Sequence, residues 1–233
     1  MNGAASGLME ALANALPGTD WDNIPYGDTS WFKYGGGGIG GWGSLCGVPN
    51  GCCAVLNLIN LHGAHGSNVL GYYSETSFPT SAVPDAWDSS WGGVEPIPDC
   101  DVLAHTVAES PLCHVSISKW CLAAGVNLGD TTPDGRKFKN DRCGKVCADM
   151  AAFTAELING STYAYVVPGD TQGCIDCHNG NSDAPCTPAQ NGKMDCGGCH
   201  TFESVIVPPG HPESPGPGID FTDPEVVNTL LGL

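Results

Sequence analysis

Positive charge is scarce in this sequence: eight Lys and Arg stand against 25 Asp and Glu among 233 residues, for a net charge of −17. Proteins bind phosphate backbones by exchanging counterions for Lys and Arg. The balance therefore argues against nucleic acid as a partner, and equally against an anionic membrane surface. A long apolar run is also missing, since nothing approaches the ~20 residues that a membrane-spanning helix needs. Residues Met1 to Leu16 have neither a basic start nor a continuous apolar centre. They read as a small amphipathic helix stopped by Pro17-Gly18, not as a secretion signal. No Ser/His/Asp set and no carboxylate pair points to hydrolytic chemistry. The glycine-rich run from Gly35 to Gly41 lacks the Gly-Lys-Ser/Thr of a phosphate loop and follows no clear strand, which leaves a closely packed turn.

Apolar residues, glycine, proline and cysteine are plentiful. With 41% hydrophobic residues the chain is able to bury a real core, while 33 Gly and 18 Pro predict short helices joined by much irregular chain. Helical spacing is clearest from Cys143 to Leu157, where Val146, Met150, Phe153 and Leu157 recur, and returns from Val115 to Ala124. Cys53 to Leu61 reads as a short buried helix. Asn159-Gly160 ends the strongest helix, and Tyr163 to Val167 reads as a single short strand. Pro79, Pro84, Pro96 and Pro98 mark a long loop that holds Trp87 and Trp91. From Pro168 onward periodicity vanishes until a weak helix near Pro224 to Leu231. The fold class is thus mainly α with extensive irregular loops. A helical, cysteine-rich module covers residues 1–167, and residues 168–233 form a segment without a core of its own, which needs a metal or a large apolar cofactor to order it.

That segment holds Cys174-Ile175-Asp176-Cys177-His178 and Cys196-Gly197-Gly198-Cys199-His200, two copies of C-x-x-C-H. Two thiols at this spacing each add across one vinyl group of the same porphyrin, and the next residue places an imidazole under the iron. Cys174, Cys177, Cys196 and Cys199 are accordingly candidate covalent haem attachments, with His178 and His200 as proximal ligands. The same four cysteines also spell a spacing typical of a structural zinc site. Zinc leaves both histidines unexplained, however, and a His after each pair arises by chance on the order of once in a thousand. Two attached haems would supply the core that residues 168–233 lack. Haem attachment also implies export, to the periplasm or an equivalent compartment, so the numbering is expected to begin near a processed end.

Each attached haem has a sixth coordination position, and an electron carrier fills it with a second strong ligand. His62, His65, His105, His114 and His211 lie outside the motifs. His114 leads, because Cys113-His114 stands where a loop enters a helix, and His62 and His65 follow. Eight cysteines precede the haem segment: Cys46, Cys52, Cys53, Cys100, Cys113, Cys121, Cys143 and Cys147. An even number in an exported chain suits disulfides. A metal centre suits them too, since Cys143 and Cys147 share a helix face at i, i+4 and Cys121 ends the preceding helix.

Trp42 to Leu58, Ser110 to Cys121, Arg142 to Asn159 and the two C-x-x-C-H motifs together resemble the split-Soret dihaem cytochromes c of anaerobic bacteria. The resemblance runs through most of residues 40–200. It implies a mainly helical homodimer with four haems gathered at one end, bis-histidine ligation shared across subunits, and a cysteine-rich redox module able to hold an iron–sulfur cluster. Carried over, it makes Cys46, Cys113, Cys121 and Cys143 candidate cluster thiolates and His114 a distal haem ligand. The chain departs from the family pattern at Cys52 and Cys53, where small residues are usual. A disulfide among the remaining cysteines, Cys186 included, is compatible with either reading.

These features favour a dihaem c-type cytochrome that carries electrons between partner proteins rather than an enzyme that converts a substrate. Its acidic surface would meet a basic docking face. Two alternatives stand beside it: a haem-dependent small-molecule reductase with one open axial site, and a structural zinc or redox-sensing protein.

Overall fold

A computed structural model describes residues 1–24, 29–80, 104–131 and 137–169, together with residues 135, 171, 172, 175, 193 and 194. The chain divides into two compact units, Met1–Val166 and Val167–Leu233. The described part of the second unit is limited to a few residues, among them Gln172, whose backbone N–H donates to the Pro168 carbonyl at 2.8 Å. The cysteines and histidines of both C-x-x-C-H motifs, Cys100, Cys186, His211 and the expected helix near Pro224 lie outside the described residues.

The first unit is mainly helical, in the order α1 (Asn2–Ala15), two short 3-10 turns (Asp20–Asn23 and Thr29–Gly35), α2 (Gly47–Leu58), α3 (His62–Glu75), α4 (Cys113–Ala124) and α5 (Phe138–Ile158). A two-residue antiparallel pair, β1 (Ser77–Phe78) with β2 (Thr106–Val107), ties the end of α3 to the approach to α4. The expected amphipathic first helix is α1, which buries Ala4, Ala5, Leu8 and Met9. The stripe read from Cys143 onward is α5, whose Val146, Met150 and Leu157 are almost fully buried against Val55, Leu56, Val69 and Tyr73. Met150 has no exposed surface, so Met150→Ala is expected to cost about 2–5 kcal/mol through lost burial and a residual cavity. A lowered urea midpoint at unchanged slope checks it.

Two expectations are corrected. The short helix expected from Cys53 to Leu61 instead begins at Gly47 and ends at Leu58, with α3 following directly. Residues Tyr163 to Val167 form no strand. Their partner is a side chain: the Asn68 amide donates to the Tyr163 carbonyl at 3.1 Å and accepts from the Tyr165 N–H at 3.0 Å. A helix-borne amide satisfies two backbone groups here without a second strand to pair with.

The glycine-rich stretch is a tight turn, as expected. Gly38 has φ +70°, and a Cβ there would stand 2.6 Å from the Ser44 backbone nitrogen. Only glycine tolerates both the left-handed backbone and the approach. The turn delivers the chain to residues 43–46.

Candidate metal centre

Residues 43–46 and 111–114 lie antiparallel and bridge at Leu45 and Leu112. The Cys46 N–H donates to the Pro111 carbonyl at 2.8 Å, the Cys113 N–H to Ser44 at 2.7 Å and the His114 N–H to Gly43 at 3.1 Å. Both segments then enter helices. Cys46 is the N-cap residue of α2, and Cys113 is the first residue of α4. The backbone N–H groups at a helix start carry partial positive charge and favour a nearby thiolate. The short bridge thus sets two cysteines, each at a helix N-terminus, beside one another.

Cys46 and Cys113 hydrogen-bond through their side chains. The bond from Cys113, helped by Tyr73, the Val48 N–H and the Arg142 charge, pulls Cys46 down to about 6 against the opposing effect of burial. The same bond, with burial and the Cys46 charge, holds Cys113 well above its ordinary value. The two thiols therefore titrate as a coupled pair. Cys143, on α5, faces both Cys46 and Arg142 and is pushed up by burial.

Arg142 is 1% exposed. Its Nη2 donates to Ser116 Oγ at 2.7 Å, and Ser116 is hydrogen-bonded to the Tyr73 hydroxyl at 2.9 Å. Tyr73 in turn hydrogen-bonds Cys46. A polar chain running Arg142, Ser116, Tyr73, Cys46 thus crosses from α5 through α4 and α3 to the start of α2. Arg142 has no carboxylate partner among the described residues, and its Nε has no hydrogen-bond partner among them. A buried cation needs a compensating anion, and the groups facing it are the Tyr73 phenol and the Cys143 and Cys46 sulfurs.

Of the four cysteines named from the resemblance, Cys46, Cys113 and Cys143 come together. Cys121 stands eight residues along α4 from Cys113, about 12 Å by helical rise, and feels Arg142, Asp130 and Lys139. Cys147, one turn on from Cys143, faces Cys143 and Cys46 instead, and burial pushes it up to about 11. Cys52 is fully buried and pushed up to about 12, with its thiol donating to the Met150 carbonyl at 3.6 Å. Burial also pushes Cys53 up to about 11. Cys46, Cys52, Cys53, Cys113, Cys121, Cys143 and Cys147 are all free thiols. Among the described residues no group of three or more His, Cys, Asp or Glu is placed to hold a metal ion.

His114 is exposed, and its Nδ1 lies 2.9 Å from the Gly43 carbonyl oxygen. A carbonyl only accepts, so Nδ1 carries a proton; in the neutral ring this is the tautomer that offers Nε2 to a metal. Gly43 has φ +70°, and a Cβ there would lie 3.0 Å from His114 Cβ. Trp42, next in chain, is 87% exposed. His105 repeats the arrangement with Nδ1 on the Pro79 carbonyl. His62 opens α3 and lies over Gly66, where a Cβ would come within 2.6 Å of Nε2. His65 is half-buried, with an Nδ1 that has no partner among the described residues.

Arg142, Ser116 and Tyr73 were not predicted from sequence. A signal existed for Arg142: it lies four residues before Val146, on the buried stripe of α5, where a charge requires a partner.

No known family model matches the chain. Split-Soret cytochrome c of Desulfovibrio desulfuricans (strain ATCC 27774 / DSM 6949 / MB) is 30% identical over 178 residues, which is 71% of this chain and 57% of that protein. The chain therefore spans little more than half the length of that relative. The solved structure of split-Soret cytochrome c from D. desulfuricans ATCC 27774, reported for a novel iron centre, aligns with 91% of this chain and 82% of its own at 23% identity, with a TM-score of 0.62. The fold is the same.

Proposed function

The chain belongs to the split-Soret cytochrome c family, and from that premise we propose that it is an exported dihaem cytochrome c that carries electrons, with a second, thiolate-ligated iron centre in its helical unit. Haem attaches at Cys174, Cys177, Cys196 and Cys199, with His178 and His200 as proximal ligands. When bound, haem supplies one-electron chemistry at a potential set by its axial ligands. The relative's name supports haem c, and the paired C-x-x-C-H motifs supply two attachment sites.

The observation that carries the reading is His114. Its ring is exposed and held by a backbone carbonyl, so Nε2 is presented to a metal with little left to reorganise. His105 offers the same tautomer. Two such imidazoles favour a carrier with filled axial positions over a reductase with an open one. His62 and His65 are the remaining candidates. Cys46, Cys113 and Cys143, with Cys147 or Cys121 as the fourth thiolate, hold the iron–sulfur cluster.

The protein acts as a homodimer, and its charge of −17 steers it toward basic redox partners at a rate that falls with salt. Among the described residues no helix is long and apolar enough to cross a membrane.

The test is haem stoichiometry. Denatured protein is expected to keep its haem absorbance through acid-acetone extraction and to give two haems per chain as the pyridine haemochrome. Colourless protein containing zinc overturns the proposal.

A further inference from the structure

The two short segments that carry Cys46 and Cys113 are held from both sides. The glycine turn fixes the first: the Gly43 and Ser44 N–H groups donate to the Gly37 and Gly38 carbonyls at 2.9 and 3.2 Å, and the Ser44 hydroxyl to Gly38 at 2.8 Å. The Leu45–Leu112 bridge pins the second segment to the first. Residues directly opposite in such a pair point to one side, and so do alternate residues along each strand. Cys46 and Cys113 are therefore diagonal neighbours on one side, and their side chains hydrogen-bond. Cys52 and Cys53 are engaged elsewhere, donating toward the Met150 and Gly66 carbonyls at 3.6 and 4.0 Å. Cys46 is 6% exposed, whereas Cys113 is half-buried, so a small reagent meets the pair on the Cys113 side.

We propose that Cys46 and Cys113 are a redox-active dithiol, which closes to a disulfide by exchange with a small-molecule disulfide and reopens with the corresponding thiol. One cysteine sulfur attacks the reagent's S–S bond, releases one thiol and leaves a mixed disulfide. The other attacks the protein sulfur of that mixed disulfide and releases the second thiol. The two cysteines lose two electrons, the reagent disulfide gains them, and both protons leave on the departing thiols. Neither step involves iron, and the couple stands apart from the iron reading of the same cysteines. Diagonal neighbours across a strand pair stand about 7–8 Å apart between Cα atoms, at or just beyond the upper edge of what a disulfide spans. Closure thus draws the starts of α2 and α4 together and leaves a strained bond, which is easily reduced.

The experiment uses the full-length protein with its covalent haems, after chelation of any non-haem iron under argon. It is equilibrated with mixtures of reduced glutathione and glutathione disulfide, trapped with acid and alkylated. Chymotryptic fragments are then mapped by mass spectrometry. The Cys46 fragment should be joined to the Cys113 fragment in less than about a tenth of molecules in excess reduced glutathione and in more than about nine-tenths in excess glutathione disulfide. Cys52 and Cys53 should stay free thiols throughout. The oxidised form is expected to melt above the reduced one, since closure constrains the unfolded chain, and Cys113→Ser should erase that difference.

Cys46 and Cys113 alkylated across the whole range would overturn the inference, as would Cys46 joined to Cys143 or Cys147 instead. A bond between Cys46 and Cys113 that excess reduced glutathione leaves intact would also overturn it, because the pair would then be a permanent staple. If Cys113→Ser does not fold, the fragment map of wild type decides alone. Iron and sulfide are counted separately on untreated protein, so either reading can fail while the other stands.

Discussion

Replacing His114 with Ala is expected to leave both haems attached and to convert one of them from low spin to high spin. On the proposed function, covalent attachment runs through cysteines elsewhere in the chain, so haem content should not change. What is lost is a strong sixth ligand, and an iron left five-coordinate or water-ligated shifts its electron paramagnetic resonance toward g = ~6 and gains affinity for carbon monoxide. The substitution is at an exposed position, where stability typically changes by no more than about 0.5 kcal/mol. A spectral change would therefore report ligation and not unfolding. An unchanged low-spin spectrum removes His114 from the distal set. His105 would then be next, because its Nδ1 is also held by a backbone carbonyl.

Cys46→Ser is expected to abolish the non-haem iron and acid-labile sulfide of anaerobically purified protein while leaving the haem count at two. Cys46 is tied by hydrogen bonds to Cys113, Tyr73 and the Val48 N–H, which lower its pKa. A serine hydroxyl there does not ionise near neutral pH, so the proposed centre would lose a thiolate ligand. Cys147→Ser should weaken iron retention against a chelator more than Cys121→Ser. Cys147 faces Cys143 and Cys46, whereas Cys121 stands two turns along α4 from Cys113. The opposite order would restore Cys121 to the ligand set. Wild type with iron equal to haem, no sulfide and no free thiols would make the upstream cysteines structural disulfides.

The parts of the fold legible in sequence are those where one residue pattern suffices. Val146, Met150, Phe153 and Leu157 recur at helical spacing because one face of α5 is core, and Val115 to Ala124 announces α4 in the same way. Helix α3 was missed. His62, Gly63, Gly66 and Gly71 dilute its pattern, and Gly71 is small because a Cβ there would lie 2.1 Å from the Tyr165 ring. That requirement comes from a segment almost a hundred residues away.

The site divides along the same line. The C-x-x-C-H motifs are local and could be read directly. The meeting of Cys46 with Cys113 depends on the bridge between Leu45 and Leu112, a long-range pairing that leaves no periodic trace. His114 was read from its place at a helix entry, but the carbonyl that fixes its tautomer belongs to Gly43.

The Leu45–Leu112 bridge also bears on how the mature protein is made. A C-x-x-C-H motif keeps both thiols and the imidazole within five residues, so an unfolded chain presents a complete attachment site. Cys46 and Cys113 become neighbours only after two distant stretches of backbone have paired. On the proposed function, topology would order maturation: haem would be added to a chain still open, and the second iron centre inserted into a unit already closed. A cell supplying haem but starved of iron–sulfur assembly would then accumulate a red, folded protein with its cysteine site unfilled.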